Sequence, residues 1–350
     1  MKYLHDSGAG FDCASGMELE KAHSLFNSRD EFSDGTIFAN PCKPPRDLKT
    51  AQKLGSGHTV IDSIEELEKL NTVKWSQGSL IRIAVEDAGS KMPFSKKFGA
   101  NVTSVRKIVD AAKALGQEIC GISFHVGSGC YDPTQYTKAI QLALLSLPKT
   151  DTFYTIDIGG GFDAHPREFI MAARSIRETI QSVSNLVKVK WIAEPGRFMA
   201  TEFQDLFVPV IGKKPGANGE GWRYTIDESL YGQFSCIPFD RAQPRWLRIA
   251  GPNEKRQRTV GKGVLFGRTC DSVDMIAKSE KMEELEVGDW LWFPHMGAYT
   301  SVTATEFNGF PKPEVHYVDE SIPSPIFYNG PSNLWPQKLS TVSHVLTPKD

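Results

Sequence analysis

Residues able to bind a phosphate and to move protons interrupt the apolar runs of this sequence at a few places. In DIGGGF, three consecutive glycines, Gly159 to Gly161, follow an apolar run directly. Without side chains, their backbone N–H groups can approach a phosphate closely, although such a triplet also serves as a plain turn. In AEPGRF, Gly196 and Arg197 follow Glu194, and a guanidinium pairs well with phosphate oxygens. Glu194 itself ends an apolar run, so its carboxylate must be exposed, paired with an arginine, or functional. In FHVGSGC, His125 reads either as a satisfied core histidine or as an imidazole stacked on a planar ring, with Ser128 donating to a phosphate. Further along, Cys270 stands beside Asp271, a setting more typical of a small buried cysteine than of a nucleophile, and Tyr299 in MGAYT fits a half-buried strand tyrosine.

These residues need elements to gather them. Up to about residue 205, seven apolar runs (GFDCA, TIFAN, HTVID, LIRIAV, CGISF, TFYTIDI, VKWIAE) alternate with stretches of helical period such as GMELEKAHSLF, DSIEELEKL, SVRKIVDAAKAL and PREFIMAARSIRETIQSV. Repeated strand and helix units imply a parallel sheet, and the expected fold is a TIM-type α/β barrel. Such a barrel has eight strands, so the seven units predict one that lacks its first strand. Asp12, Asn40, His125, Gly159 and Glu194 all fall at ends of runs, where a parallel barrel collects its functional groups.

After residue 205 the pattern changes. YTIDESLYGQFSCIPF, KGVLFG, GDWLWF and YTSVTATEF alternate or run apolar, predicting a mostly antiparallel β domain, with KKPGANGEGW as an exposed hairpin loop. The expected organisation is a barrel over 1–205, a β domain over 206–320 and a tail over 321–350 that wraps the surface or trails into solvent.

Composition narrows the function. The 350 residues carry a formal net charge of -2, with 40% hydrophobic and 23% charged residues, which describes a globular chain and not one that coats nucleic acid. MKYLHDSGAG has no apolar signal core and no run is long enough to span a bilayer, so a cytoplasmic protein without membrane association is expected. Cysteines at 13, 42, 120, 130, 236 and 270 include no C-x-x-C pair, so neither a metal site nor a disulfide framework is expected.

Taken in order, GFDCAS, FANPCK, KFGA, FHVGSGC, DIGGGF, AEPGRF, YGQFSCIPFD, CDSVD, GDW, MGAYT and FNGF resemble the successive signature blocks of eukaryotic ornithine decarboxylases, from about Leu4 to Tyr317. The resemblance implies an alanine racemase-like barrel holding pyridoxal 5'-phosphate, packed with a β domain, in a homodimer whose sites are shared between subunits. It implies that Glu194 pairs with the pyridine nitrogen and that His125 stacks on the ring. Ser128, Gly159, Gly160, Gly161, Gly196, Arg197 and Tyr299 would cradle the phosphate, with Asp12 near the point of cofactor attachment. Asp240 and Asp271 would hold the distal ammonium of a basic amino acid, and Cys270 would protonate the α-carbon. Cys270 and Asp271 would come from the partner subunit.

The implied reaction is decarboxylation of L-ornithine to putrescine, in polyamine biosynthesis. Phe239 stands where a tyrosine often precedes the substrate-binding aspartate, which removes a hydroxyl and could loosen the choice between ornithine and lysine. The lysine that binds the cofactor in this family lies further upstream than the eleven residues before Asp12, and Lys2, on a segment expected to be helical, should point away from the pocket. An N-terminally truncated family member is therefore expected, with little turnover by the sequence as given. A non-catalytic homologue like the antizyme inhibitors, which bind a regulatory protein, is the alternative. Retention of Cys270, Asp271, Asp240 and Glu194 favours the enzyme.

Overall fold

A computed structural model describes residues 1–147, 154–183, 188–219, 221–251 and 257–317. The expected tail at 321–350 lies outside the described residues, as do Thr152 and Phe153 of TFYTIDI. The chain divides into two compact units, Met1–Met199 and the residues from Ala200 onward.

In the first unit the strands are β1 (Phe11–Cys13), β2 (Thr36–Phe38), β3 (His58–Ile61), β4 (Ser79–Arg82), β5 (Ser90–Met92), β6 (Ile119–Ser123), β7 (Ser128–Cys130), β8 (Tyr154–Asp157) and β9 (Val189–Ile192). Seven of them form one sheet, in the order β1-β2-β3-β4-β6-β8-β9, and all its ladders are parallel. All seven predicted strands are present. This is the TIM-type barrel sheet, with β1 and β9 at its edges among the described residues. β5 and β7 pair separately as an antiparallel ribbon.

Two faces follow from the two-residue period of a strand. Phe38, Ile61, Ile81, Ile122 and Ile156 point outward and are buried with Leu19, Leu48, Leu67, Leu70, Ile108 and Ile140 of the surrounding helices. Burying each such side chain contributes roughly 1.5–3 kcal/mol. Ile37, Val60 and Leu80 point the other way and cluster with Ala39, Cys120 and Ile192 on the inner face.

The helix starts are written into the sequence. Ser15 Oγ accepts from the Glu18 N–H, while Glu18 Oε2 accepts from the Ala14 N–H at 2.6 Å. Ser28 and Glu31 repeat this reciprocal capping. Ser63 caps the Glu66 N–H in the same way, but the Glu66 side chain turns to the buried Lys43 ammonium at 3.0 Å.

The second unit is a six-stranded sheet of β10 (Leu206–Pro215), β11 (Trp222–Ile226), β12 (Leu247–Ala250), β13 (Val260–Phe266), β14 (Met275–Glu283) and β15 (Trp290–Phe293), in the order β12-β15-β10-β11-β13-β14. Only the β11–β13 ladder is parallel among these, so the sheet is mostly antiparallel as expected. KKPGANGEGW does turn β10 into β11, with Gly219 and Gly221 at positive φ; Glu220 lies outside the described residues.

Two of the apolar runs differ from expectation. In YTIDESLYGQFSCIPF only the first residues extend β11, and the rest forms the 3-10 turn Gln233–Ser235 and the short helix Cys236–Asp240. YTSVTATEF forms no strand: Thr300 and Thr303 hydroxyls bond back to the Met296 and Tyr299 carbonyls, drawing the segment into turns. Alternating polarity does not record such local hydroxyl bonds.

Candidate active site

The inner face carries the chemistry to its upper rim. Counting by twos from Leu80 reaches Arg82, from Ile192 reaches Glu194, and from Ser123 reaches His125. In the register of the sheet, Arg82 lies level with Ser123, Asp157 and Ile192. Asp12 takes the corresponding inward place on β1. Asp12, Arg82, His125, Asp157 and Glu194 therefore meet at the C-terminal ends of the strands.

Three of these groups are acids. The Glu194 side chain reaches both Asp157 and Asp12. Burial, followed by the Asp157 carboxylate, pushes Glu194 well above the usual carboxylate range. Asp12 keeps an exposed edge to solvent, yet the protein crowded around it and then Glu194 raise it as well. Asp157 is raised chiefly by burial. Arg82, its guanidinium stacked 4.9 Å from the Phe98 ring, is the cation that opposes all three.

His125 is neutral. Burial, helped by Arg82, lowers it to about 3. Its Nδ1 accepts from the Gly127 N–H at 3.0 Å, which leaves the ring proton on Nε2. The Phe94 ring stands 4.8 Å away, tilted by 50°.

Beside the imidazole, the glycine triplet leaves room for an incoming group. A Cβ on Gly160 would stand 2.8 Å from the Glu194 carbonyl and 3.0 Å from His125 Nε2. Gly159 and Gly161 have φ of 62° and 98°, where side chains are rarely tolerated. Gly159 is tied on both sides: Asp157 Oδ1 accepts from its N–H at 2.8 Å, and its carbonyl accepts from the Glu194 N–H at 2.9 Å. On the ribbon, Ser128 Oγ accepts from Arg197 Nη2 at 2.7 Å and Nε at 3.2 Å. Gly196, two residues beyond Glu194, faces open space.

The structure thus brings together Asp12, His125, Ser128, Gly159, Gly160, Gly161, Glu194 and Arg197. Apart from Gly196, which precedes Arg197 in the first unit, the remaining predicted residues belong to the second unit. Asp240 ends the helix Cys236–Asp240. The Cys270 thiol is on an exposed residue whose N–H donates to Asn308 Oδ1. Asp271 accepts from the Tyr231 hydroxyl and, through Oδ1, from the Val273 N–H at 3.1 Å, and the tyrosine bond holds it below the ordinary aspartate range. Tyr299 has φ of 56°, a strained left-handed backbone for an aromatic residue.

Sequence reasoning passed over Arg82 and Asp157. Both break apolar strand runs just as Glu194 does, and the same rule about lone charges would have found them. Tyr231 carried no such signal, because its bond to Asp271 spans forty residues.

A flat ring bearing a phosphate fits these residues: an acid at one end, a neutral imidazole for its face, and a serine–arginine pair with a side-chain-free loop at the other end. Residues 1–201 match the family model of the pyridoxal-dependent decarboxylase, pyridoxal binding domain. Ornithine decarboxylase of Panagrellus redivivus is 34% identical over 92% of this chain and 78% of its own length. The chain belongs to the pyridoxal-dependent ornithine decarboxylase family.

Within that family, antizyme inhibitor 2 of Xenopus laevis is 35% identical over 91% of this chain and 72% of its own length. The agmatine-bound arginine decarboxylase of Paramecium bursaria Chlorella virus superposes with a TM-score of 0.79 at 34% identity, covering 89% of this chain and 83% of that one. Pyridoxal phosphate is the family's cofactor, and its decarboxylases act on basic amino acids. Lys2, at the start of the helix Lys2–Asp6, is exposed. The buried Lys43 spends its ammonium on Glu66 and the carbonyls of Asn40 and Val60.

Proposed function

We propose that this chain serves the decarboxylation of L-ornithine to putrescine. The observation that carries this reading is the convergence of Glu194, His125, the Gly159–Gly161 loop and the Ser128–Arg197 pair on one rim, each suited to a different part of pyridoxal phosphate. When bound, that cofactor supplies an electron sink for loss of carbon dioxide from the α-carbon. Arg197, Ser128 and the N–H groups of Gly160 and Gly161 bind the phosphate, with Gly159 held by Asp157 to shape the loop. His125, kept neutral, covers a ring face without adding a charge. Glu194 holds a proton at the ring nitrogen.

Asp240 and Asp271 select a cationic side chain by charge, and Cys270 Sγ delivers a proton to the α-carbon. The Tyr231 hydroxyl fixes one oxygen of Asp271 and so orients the carboxylate toward its ligand. The homodimer, with Cys270 and Asp271 supplied to the partner's site, is part of this proposal.

The similarity to antizyme inhibitor 2 supports a second reading, a regulatory binding protein built on the same scaffold. Protein purified from its native host and given pyridoxal phosphate with L-ornithine, L-lysine or L-arginine distinguishes the two. Putrescine formation faster than release of the lysine or arginine product is expected. Cofactor binding without product from any of the three supports the regulatory reading instead.

A further inference from the structure

Asp157 has no part in the roles assigned so far, yet it is fully buried at the centre of the rim. Its Oδ1 accepts from the Gly159 N–H, while its Oδ2 is shut off from solvent and meets no donor. What Asp157 does face is the Glu194 side chain. With Asp157 fully buried and Glu194 half-buried, two ionised carboxylates in contact would leave Asp157 Oδ2 an acceptor without a donor and would repel each other.

The other charged groups around the pair do not resolve this. Asp12 on β1, itself raised by burial, Glu194 and Glu18, bonds to Glu194 and gives Asp157 Oδ2 no donor, and Arg82 on β4 is a single guanidinium shared among Asp12, Asp157 and Glu194. His125, bonded through Nδ1 and neutral, brings no cation.

We propose that a proton bridges Asp157 Oδ2 and the Glu194 carboxyl, making Asp157 a positioning residue that keeps the ring-nitrogen acid aimed and ready to donate. The bridge satisfies the otherwise unpartnered oxygen and leaves the pair with one negative charge. Because Asp157 also holds the Gly159 N–H, it aligns the acid with the phosphate loop. The consequence for ligand binding rests on the cofactor reading given above: Glu194 can give the bridging proton to the ring nitrogen, so binding near neutral pH needs no proton from solvent.

Asp157→Asn tests this, since the amide oxygen keeps the Gly159 bond and the NH2 group can donate to Glu194 without carrying a transferable proton. In the infrared spectrum of the ligand-free protein near neutral pH, the wild type is expected to show the carbonyl band of a protonated carboxylic acid. Both Asp157→Asn and Glu194→Gln should weaken it, the remainder belonging to other raised acids such as Asp12. A band undiminished in Asp157→Asn, or missing from the wild type, overturns the bridge.

The second measurement is binding of pyridoxamine phosphate, followed by its fluorescence across pH. Without the Asp157 charge and the bridge, Glu194 in Asp157→Asn ionises at lower pH, so ring protonation then draws on solvent and affinity should begin to fall at lower pH than in the wild type, by about tenfold for each pH unit. Superimposable pH profiles overturn the proposal, whereas a purely packing role would lower affinity equally at every pH. Weakening of the infrared band in Asp157→Asn with no pyridoxamine phosphate binding by either protein leaves the bridge standing and removes the cofactor reading.

Discussion

Two nitrogens of Arg197 meet the Ser128 hydroxyl, so the pair already forms one side of an anion site. Arg197→Lys keeps the charge but loses the fork. With a charge-assisted hydrogen bond at stake, the cofactor is expected to bind about 2 kcal/mol more weakly, roughly thirtyfold, in a fluorescence titration. His125 makes a different prediction, read from pH. Its ordinary value is 6.5 and the folded protein holds it at about 3, so between these values the unfolded chain binds more protons than the folded one. Stability from this residue therefore declines as pH falls from 6.5 toward 3. Asp12 and Glu194 act in the opposite sense: their raised folded values stabilise at acid pH, and that contribution is lost as pH rises through the raised range. In His125→Asn, whose Oδ1 can still accept from Gly127, the melting temperature should fall less steeply on the acid side than in the wild type. Parallel melting curves would count against a neutral, half-buried imidazole.

At the scale of elements, the loops after β8 and β9 make contrasting predictions from one residue type. Gly160→Ala forces a methyl against the Glu194 carbonyl and His125 Nε2, whereas Gly196→Ala meets nothing within 4 Å. The first should cost about 1–3 kcal/mol in urea unfolding and weaken cofactor binding; the second should leave stability nearly unchanged. Equal effects would show that the loop is looser than its contacts imply. The same elements show how far the sequence can be read. Its seven strand runs were legible because buried parallel strands are nearly continuous apolar stretches, and Ser15 with Glu18 marks a helix start outright. Helices Arg29–Asp34, Pro45–Leu54 and Thr134–Ser146 were not singled out; the first, six residues burying only Phe32, is too short to show a period. Glu194 was found as a lone charge ending an apolar run; Arg82 and Asp157, equally lone, gain their meaning only from a register that sequence does not print.

For the whole molecule, the proposed dimer has a consequence that a single chain lacks. Glu194 and Cys270 belong to different units of the chain, and the proposal draws them into one site from two subunits. In the protein as its native host makes it, Glu194→Ala and Cys270→Ala should each leave pure dimers nearly inactive. Mixed and allowed to exchange subunits, they should regain putrescine formation, because some sites then combine an intact Glu194 with an intact Cys270. Absence of any recovery, with exchange verified by mass, would place both residues in the same subunit's site.

Gly159 is clamped from both directions, its N–H by Asp157 and its carbonyl by the Glu194 backbone. The acid end and the loop end of the rim are thereby spaced like the jaws of a fixed caliper. A ligand is then measured by its length as well as its charges, and pyridoxal without its phosphate, or with a longer linker to it, should satisfy one jaw only by abandoning the other.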